Sequence, residues 1–89
     1  MDIELRNDIQ KVLGERIKKF RLLKGLRQTE IAKSCGFYKS GYNSIELGLR
    51  NVSLINIYKI AFALDVPVSC FFNDDEFYKF LELYNENQK

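Results

Sequence analysis

An all-α fold of five or six short helices is what this sequence predicts, and three kinds of observation predict it. Apolar residues recur at three- and four-residue intervals through most of the chain, the spacing that lines one face of a helix. Gly25, Gly36 and Gly48 each stand just past such a run, where a residue without a Cβ takes the left-handed conformation that ends a helix. Asn7, Ser53 and Asn73 stand just before one, as residues whose side chains can accept from free amides of a first turn. Eighty-nine residues with 46% apolar content suit one small compact domain, taken as 1–89 with its core over 8–72.

The first helix is predicted from Asp8 to Lys24. Asn7 and Gln10 have the spacing of a capping box, and Leu13, Ile17 and Phe20 form its inner stripe. Residues 1–7 are left as a disordered tail or an added dimer contact through Ile3 and Leu5. Gly25 ends the helix and Leu26 folds back toward the core. From Gln28 to Cys35, Ile31, Ala32 and Cys35 share one apolar face opposite Glu30, Lys33 and Ser34, and Gly36 stops the run. The period restarts after Phe37, with Tyr42 and Ile45 turned inward, Lys39, Ser40, Asn43 and Ser44 turned to other sides, and Gly48 closing the helix.

A fourth helix follows Leu49 to Ser53, with Ser53 as its N-cap and Val52 and Ile57 as a hydrophobic staple. Leu54, Ile57, Ile60, Ala61 and Leu64 make its inner stripe, and Ile55, Tyr58 and Phe62 make a second one. A helix apolar on two faces needs a second cover. Val66-Pro67 breaks the chain, and a short helical turn runs through Phe71. Asn73 and Glu76 offer a capping box for a last helix over 73–87, where Phe77, Phe80, Leu81 and Tyr84 share a face. That aromatic face either closes over the second stripe of the fourth helix or pairs with its symmetry mate.

Gln28 to Leu47, QTEIAKSCGFYKSGYNSIEL, therefore reads as two short helices around a tight turn. Gln28, Ala32, Gly36, Ile45 and Glu46 in this frame resemble the helix-turn-helix of the Cro and lambda-repressor (Xre-type) family. The resemblance runs without a gap from Leu13 to about Phe72, roughly two thirds of the chain. It implies a lambda-repressor-like DNA-binding domain with a central helix-turn-helix. The RNVS junction and the size resemble the controller proteins of restriction-modification systems. Four features depart from the family pattern. Arg27 and Tyr38 occupy N-cap positions that usually hold a small hydroxyl residue, Gly41 stands inside the second motif helix, where it costs about 1 kcal/mol relative to alanine, Tyr42 is larger than the usual isoleucine or valine, and Val52 stands where many relatives have proline.

Charge supports a polyanionic partner. Residues 1–50 hold 11 Lys and Arg against 6 Asp and Glu, whereas residues 51–89 hold 3 against 6. Double-stranded DNA is the expected partner, together with a second copy of the chain. The resemblance implies base contacts from Tyr38, Lys39, Ser40, Asn43 and Ser44, and phosphate contacts from Gln28, Arg27, Lys33, Arg50, Asn51 and Ser53. It also implies an ion pair between Arg21 and Glu46 that fixes the second motif helix. Asn43 has the chemistry to pair with adenine, and Lys39 to donate to guanine. Ile55, Tyr58, Phe62, Phe71, Phe77, Phe80, Leu81 and Tyr84 are the expected dimer interface.

The function so predicted is a dimeric, sequence-specific transcriptional regulator on a palindromic operator, of the controller type. An antitoxin, a phage-type repressor, or an interaction module that has lost DNA binding are the alternatives, with RNA polymerase or a cognate toxin as further candidate partners. No cofactor or metal is expected: the chain has no histidine, and Cys35 and Cys70 lack zinc-site spacing, so both read as reduced core thiols. Catalysis is not expected either, with no nucleophile beside a base and no glycine-rich phosphate loop. No apolar run approaches a membrane span and the charged N-terminus does not resemble a signal peptide, which points to the cytoplasm.

Overall fold

The computed structural model describes residues 1–88; Lys89, the last residue of the predicted domain, lies outside them. Five α-helices run in the order α1 Ile3–Leu23, α2 Gln28–Cys35, α3 Lys39–Glu46, α4 Leu54–Leu64 and α5 Asp74–Asn87, with a 3-10 helix, Val68–Phe71, between the last two. No strand occurs among the described residues. None of these helices is long and apolar enough to cross a membrane.

The first helix begins five residues earlier than the sequence reading placed it. Asp2, not Asn7, is its N-cap, and its carboxylate accepts from the Leu5 amide at 2.8 Å. Leu5, Ile9, Val12 and Leu13 continue the inner stripe of Ile17 back by three turns, so the added turns have an apolar face to bury. Leu5 is itself buried, outside the expected 8–72 core, and residues 1–7 are therefore no tail.

One core gathers Ile17 of α1, Ile31, Ala32 and Cys35 of α2, Tyr42 and Ile45 of α3, Ile57, Ile60, Ala61 and Leu64 of α4, and Phe71. Leu13, Phe20, Leu26, Phe37, Val52 and Val68 pack around it half-buried. Leu54, predicted to join this core, is 67% exposed. It stands at the first position of α4, where the stripe has not yet turned inward. Ser53 caps α4 by accepting from Asn56, and Asp65, in the left-handed region at φ 55°, ends it before Pro67. Cys35 is buried and free, whereas Cys70 is only half-buried, not a core thiol.

The helix α5 packs on α1, tied at one end by the Arg16–Glu76 ion pair at 3.2 Å and at the other by the Asn87 amide donating to Asp2. Asn73 caps it by accepting from Asp75 and Glu76. Glu76 turns to Arg16 and so does not complete the predicted capping box. Because α5 lies on α1, it leaves the second stripe of α4 open: Ile55, Tyr58 and Phe62 are all exposed, Phe62 by 75%. The intramolecular lid over that stripe is thereby corrected.

Candidate nucleic-acid interface

Two short helices carry this surface, and two glycines set their distance from the long first helix. A Cβ on Gly14 of α1 would lie 2.4 Å from the Ile45 carbonyl oxygen and 2.5 Å from that of Glu46. One on Gly48 would lie 2.5 Å from the Lys11 Cα. The end of α3 thus rests directly on α1, and the Gln10 side-chain amide donates to the Gly48 carbonyl at 3.2 Å. Gly36, at φ 74°, makes the turn between α2 and α3, and the Phe37 amide reaches back to the Ala32 carbonyl at 2.8 Å.

Neither motif helix has a side-chain oxygen at its N-cap. At α2 the loss is partly offset, because Glu30 reaches back and accepts from the Arg27 amide at 3.1 Å. Tyr38, at the N-cap of α3, makes no side-chain cap and stands 88% exposed.

Beneath the pair lies a buried polar network. Arg21 donates to both Glu46 oxygens, from Nε at 2.6 Å and from one Nη at 3.0 Å, while its other Nη donates to the Leu26 carbonyl at 2.8 Å. The same guanidinium therefore holds the α1–α2 turn and the last residue of α3. Gln28 joins from the start of α2: its Nε2 donates to a Glu46 oxygen at 3.0 Å and to the Asn43 Oδ1 at 3.0 Å. Burial pushes the Glu46 carboxyl up, but the Arg21 guanidinium, then the Tyr42 and Gln28 side chains beside it, outweigh it and leave it below its usual range. The Glu46 hydrogen bond raises the Arg21 guanidinium further, against its burial.

Tyr42 completes the contacts under α3. Its ring is fully buried, and its hydroxyl, which the sequence reading required to reach solvent or a partner, does neither among the described residues. Burial first, then the Glu46 carboxylate close to the hydroxyl, push its phenol well above its ordinary range.

With Tyr42, Ile45 and Glu46 turned inward, α3 presents Lys39, Ser40, Asn43 and Ser44 to the outside; Lys39 and Ser40 are exposed and Asn43 and Ser44 half-buried. The Ser44 hydroxyl donates to the Ser40 carbonyl at 3.0 Å. Arg27, Lys33, Arg50, Asn51 and Ser53 are exposed around this face, and Gln28 lies half-buried at its edge. Leu47, exposed one step past the helix, is a member of the face that the sequence reading passed over. The arrangement is an eight-residue helix with a polar outer side, braced from beneath and ringed by cations, of a width that enters a major groove.

A helix-turn-helix family model matches residues 17–69 of the chain. The chain belongs to the helix-turn-helix family. Control protein C.MunI of a Mycoplasma species is 41% identical over 71 residues, spanning 79% of this chain and 96% of its own length. Control protein C.BamHI of Bacillus amyloliquefaciens is 38% identical over 63 residues, 70% of this chain and 78% of that one. Among solved structures, the restriction-modification controller protein C.AhdI from Aeromonas hydrophila superposes with a TM-score of 0.68 at 42% identity, over 73% of this chain and 97% of its own. In this helix-turn-helix, α2 and α3 are the motif pair, and α1, α4 and the 3-10 helix close the core behind them. All of α5 lies beyond residues 17–69.

One predicted interface residue does not belong at the surface. Phe71, assigned to a dimer contact, is 1% exposed and packs edge-on against Phe20 with ring centroids 6.3 Å apart. The 3-10 turn points it into the core, and its neighbour Phe72 is the exposed one.

Proposed function

We propose that this protein is a sequence-specific regulator of transcription that binds double-stranded DNA as a homodimer, and that it serves as the controller of a restriction-modification system. The observation that carries the reading is the outward polar face of α3 held by the buried Arg21–Glu46–Gln28 network, in a chain that spans nearly the whole length of C.MunI and C.AhdI. Recognition needs a helix presented in one fixed orientation, and this network supplies the brace.

In this reading Lys39, Ser40, Asn43 and Ser44, with Tyr38 at the helix entrance, face base edges. Arg27, Lys33, Arg50, Asn51 and Ser53 meet phosphates on either side. Gln28 is a special case. Both hydrogens of its side-chain amide are committed to Glu46 and Asn43, so its phosphate donor is the backbone amide at the start of α2.

Homodimerisation is supported by exposed apolar residues on α4 and α5, outside the motif pair. Ile55, Tyr58 and Phe62 on α4 and Phe77, Leu81 and Tyr84 on α5 are exposed, and Phe80 is half-buried beside them in sequence. An apolar cleft of ≈ 750 Å³ between α1, α5 and the start of α4, lined in part by Leu5, Ile9, Phe72 and Phe77, adds a concave surface. Two such copies would place their α3 helices about 34 Å apart along DNA or at a multiple of that spacing, which calls for a palindromic site.

The test is affinity selection on random duplex DNA at low salt, with sedimentation of the free protein. An enriched palindrome and a dimer support the reading. A monomer or a co-purifying small partner with no enriched sequence would favour an antitoxin or an interaction module.

A further inference from the structure

We infer that the cleft between α1, α5 and the start of α4 is a binding site for an uncharged, mainly apolar small molecule, such as a fused-ring aromatic compound or an acyl chain without a charged head. Such a site goes beyond the DNA-binding reading above and does not depend on it.

The walls come mostly from chain outside residues 17–69, with Leu5, Ile9 and Val12 of α1 on one side and Phe72, Phe77 and Tyr84 on the other. Leu5, Ile57 and Phe71, each no more than 9% exposed, line it too, so the cleft reaches down to the packed core. Its volume of ≈ 750 Å³ lies within the roughly 300–1,000 Å³ of small-molecule sites. Among the described residues that line it, none belongs to the exposed α4 stripe of Ile55, Tyr58 and Phe62. A second copy seated on that stripe would leave the interior of the cleft to another occupant.

The helix that roofs the cleft gains from such an occupant. No residue of α5 is buried, although Phe77, Phe80, Leu81 and Tyr84 all line the cleft. Its ends are held to α1 by the Arg16–Glu76 and Asp2–Asn87 contacts. A helix of 14 residues has little stability of its own in water, so α5 depends on what its apolar side packs against. An apolar molecule between α5 and α1 supplies that packing, and apolar walls give up water at little cost.

The lining also selects the charge of the ligand. No lysine or arginine is among the described residues that line the cleft, whereas Asp74 and Glu76 are, and Glu76 is already paired with Arg16. A carboxylate or phosphate entering it would lose hydration with no cationic side chain to replace it. The uncharged polar groups are the amides of Gln10, whose nitrogen donates to the Gly48 carbonyl, of Asn73, whose oxygen caps α5, and of Asn51. Amides suit the hydroxyl or carbonyl group of a neutral ligand.

The experiment is a fluorescence titration of the full chain with two probes that share one ring system, the uncharged N-phenyl-1-naphthylamine and the anionic 8-anilinonaphthalene-1-sulfonate. Sedimentation gives the assembly state at each protein concentration used. The uncharged probe is expected to saturate at one molecule per chain, with the sulfonate at least about tenfold weaker. Ile9→Phe and Val12→Phe add apolar volume where both side chains line the cleft, and each should weaken the uncharged probe about tenfold, with a thermal melt showing that the fold is kept. In the wild-type protein, which needs no substitution, the bound probe should slow amide exchange over 74–87 and leave the motif residues 28–46 as they were.

Failure of the uncharged probe to bind would overturn the inference outright. Equal binding of the two probes, or a folded phenylalanine variant that binds as the wild type does, would show adventitious apolar contact and overturn it as well. So would an uncharged probe expelled as the dimer forms, because a second copy would then be the occupant. Exchange slowed over 28–46 and not over 74–87 would place the probe elsewhere, with the same result. None of these outcomes alters the operator selected on random DNA, so the DNA-binding reading stands or falls separately.

Discussion

Arg21 and Glu46, 25 residues apart in sequence, meet in a two-pronged ion pair at 2.6 and 3.0 Å that is buried on both sides. Removing one partner leaves the other charged and without water, so Arg21→Met should cost about 3–5 kcal/mol of folding stability. A buried pair is not itself a large net contributor, because both charges lose hydration. The double variant Arg21→Met/Glu46→Leu should therefore recover most of the loss. Urea unfolding of the three proteins checks this, and a double variant as unstable as the single one would contradict it.

The same pair sets an acid limit. The folded Glu46 carboxyl lies below the ordinary glutamate value of about 4.3, so its stabilising contribution is complete above that pH and is lost as pH falls through the lower folded value. Stability measured by urea midpoint should change little from pH 7 to pH 5 on this account and fall below about pH 4. Glu46→Gln should flatten that acid slope. A slope unchanged by the substitution would place the acid sensitivity elsewhere.

Tyr42 sets the corresponding alkaline limit. Its folded phenol is raised above the unfolded value of about 10, so its contribution is present below that pH and lost as pH rises and the unfolded chain ionises. The hydroxyl has no hydrogen-bond partner among the described residues, and an unsatisfied buried polar group costs stability. Tyr42→Phe should therefore stabilise the protein by about 1 kcal/mol at neutral pH and remove the loss above about pH 10. Thermal melts across pH 7 to 11 check both parts, and a destabilised phenylalanine variant would show that the hydroxyl has a role the geometry hides.

Most of the helices were legible in the sequence because their signals are local. Gly36, Gly48, Ser53 and Asn73 mark ends and starts by backbone chemistry that acts within a few residues, and the structure uses all four. The motif pair was legible as well, because Ala32, Gly36 and Ile45 stand at a spacing that a family resemblance could carry. The missed features depend on what lies across the fold. Asp2 was available as an N-cap, and Leu5 and Ile9 continue the stripe of Leu13, so the early start of α1 could have been read. Asn7 with Gln10 offered a competing cap of the same local quality, and only burial of Leu5 decides between them. The direction of Phe71, the exposure of Leu54 and the packing of α5 on α1 depend on which faces meet, as does the reach of Gln28 to Asn43.

Gly14 is a further case of that kind: from sequence it is a weak point inside a helix, and in the fold it is where α3 comes closest. Its missing Cβ would stand 2.4 Å from a backbone oxygen, a clash that no side-chain rotation relieves. Gly14→Ala should cost about 1–3 kcal/mol despite alanine's better helix propensity. It should also loosen α3 against α1. A thermal melt checks the first part. An alanine variant as stable as the wild type would mean that α3 slides away without loss.

Gly41 reverses the sign. It lies inside α3, where the same propensity penalty applies, but a Cβ there would meet only the Arg50 guanidinium at 3.9 to 4.0 Å, ordinary contact with the end of a flexible side chain. Gly41→Ala should raise stability by about 1 kcal/mol. With no side-chain cap at Tyr38 and glycine two residues into α3, the recognition helix of the free protein should fray and become firm on DNA. Amide exchange of residues 39–46 should then slow on adding operator, and should slow in the free Gly41→Ala protein as well. If the alanine variant melts no higher than the wild type, propensity is not what limits α3, and the uncapped Tyr38 end becomes the place to look.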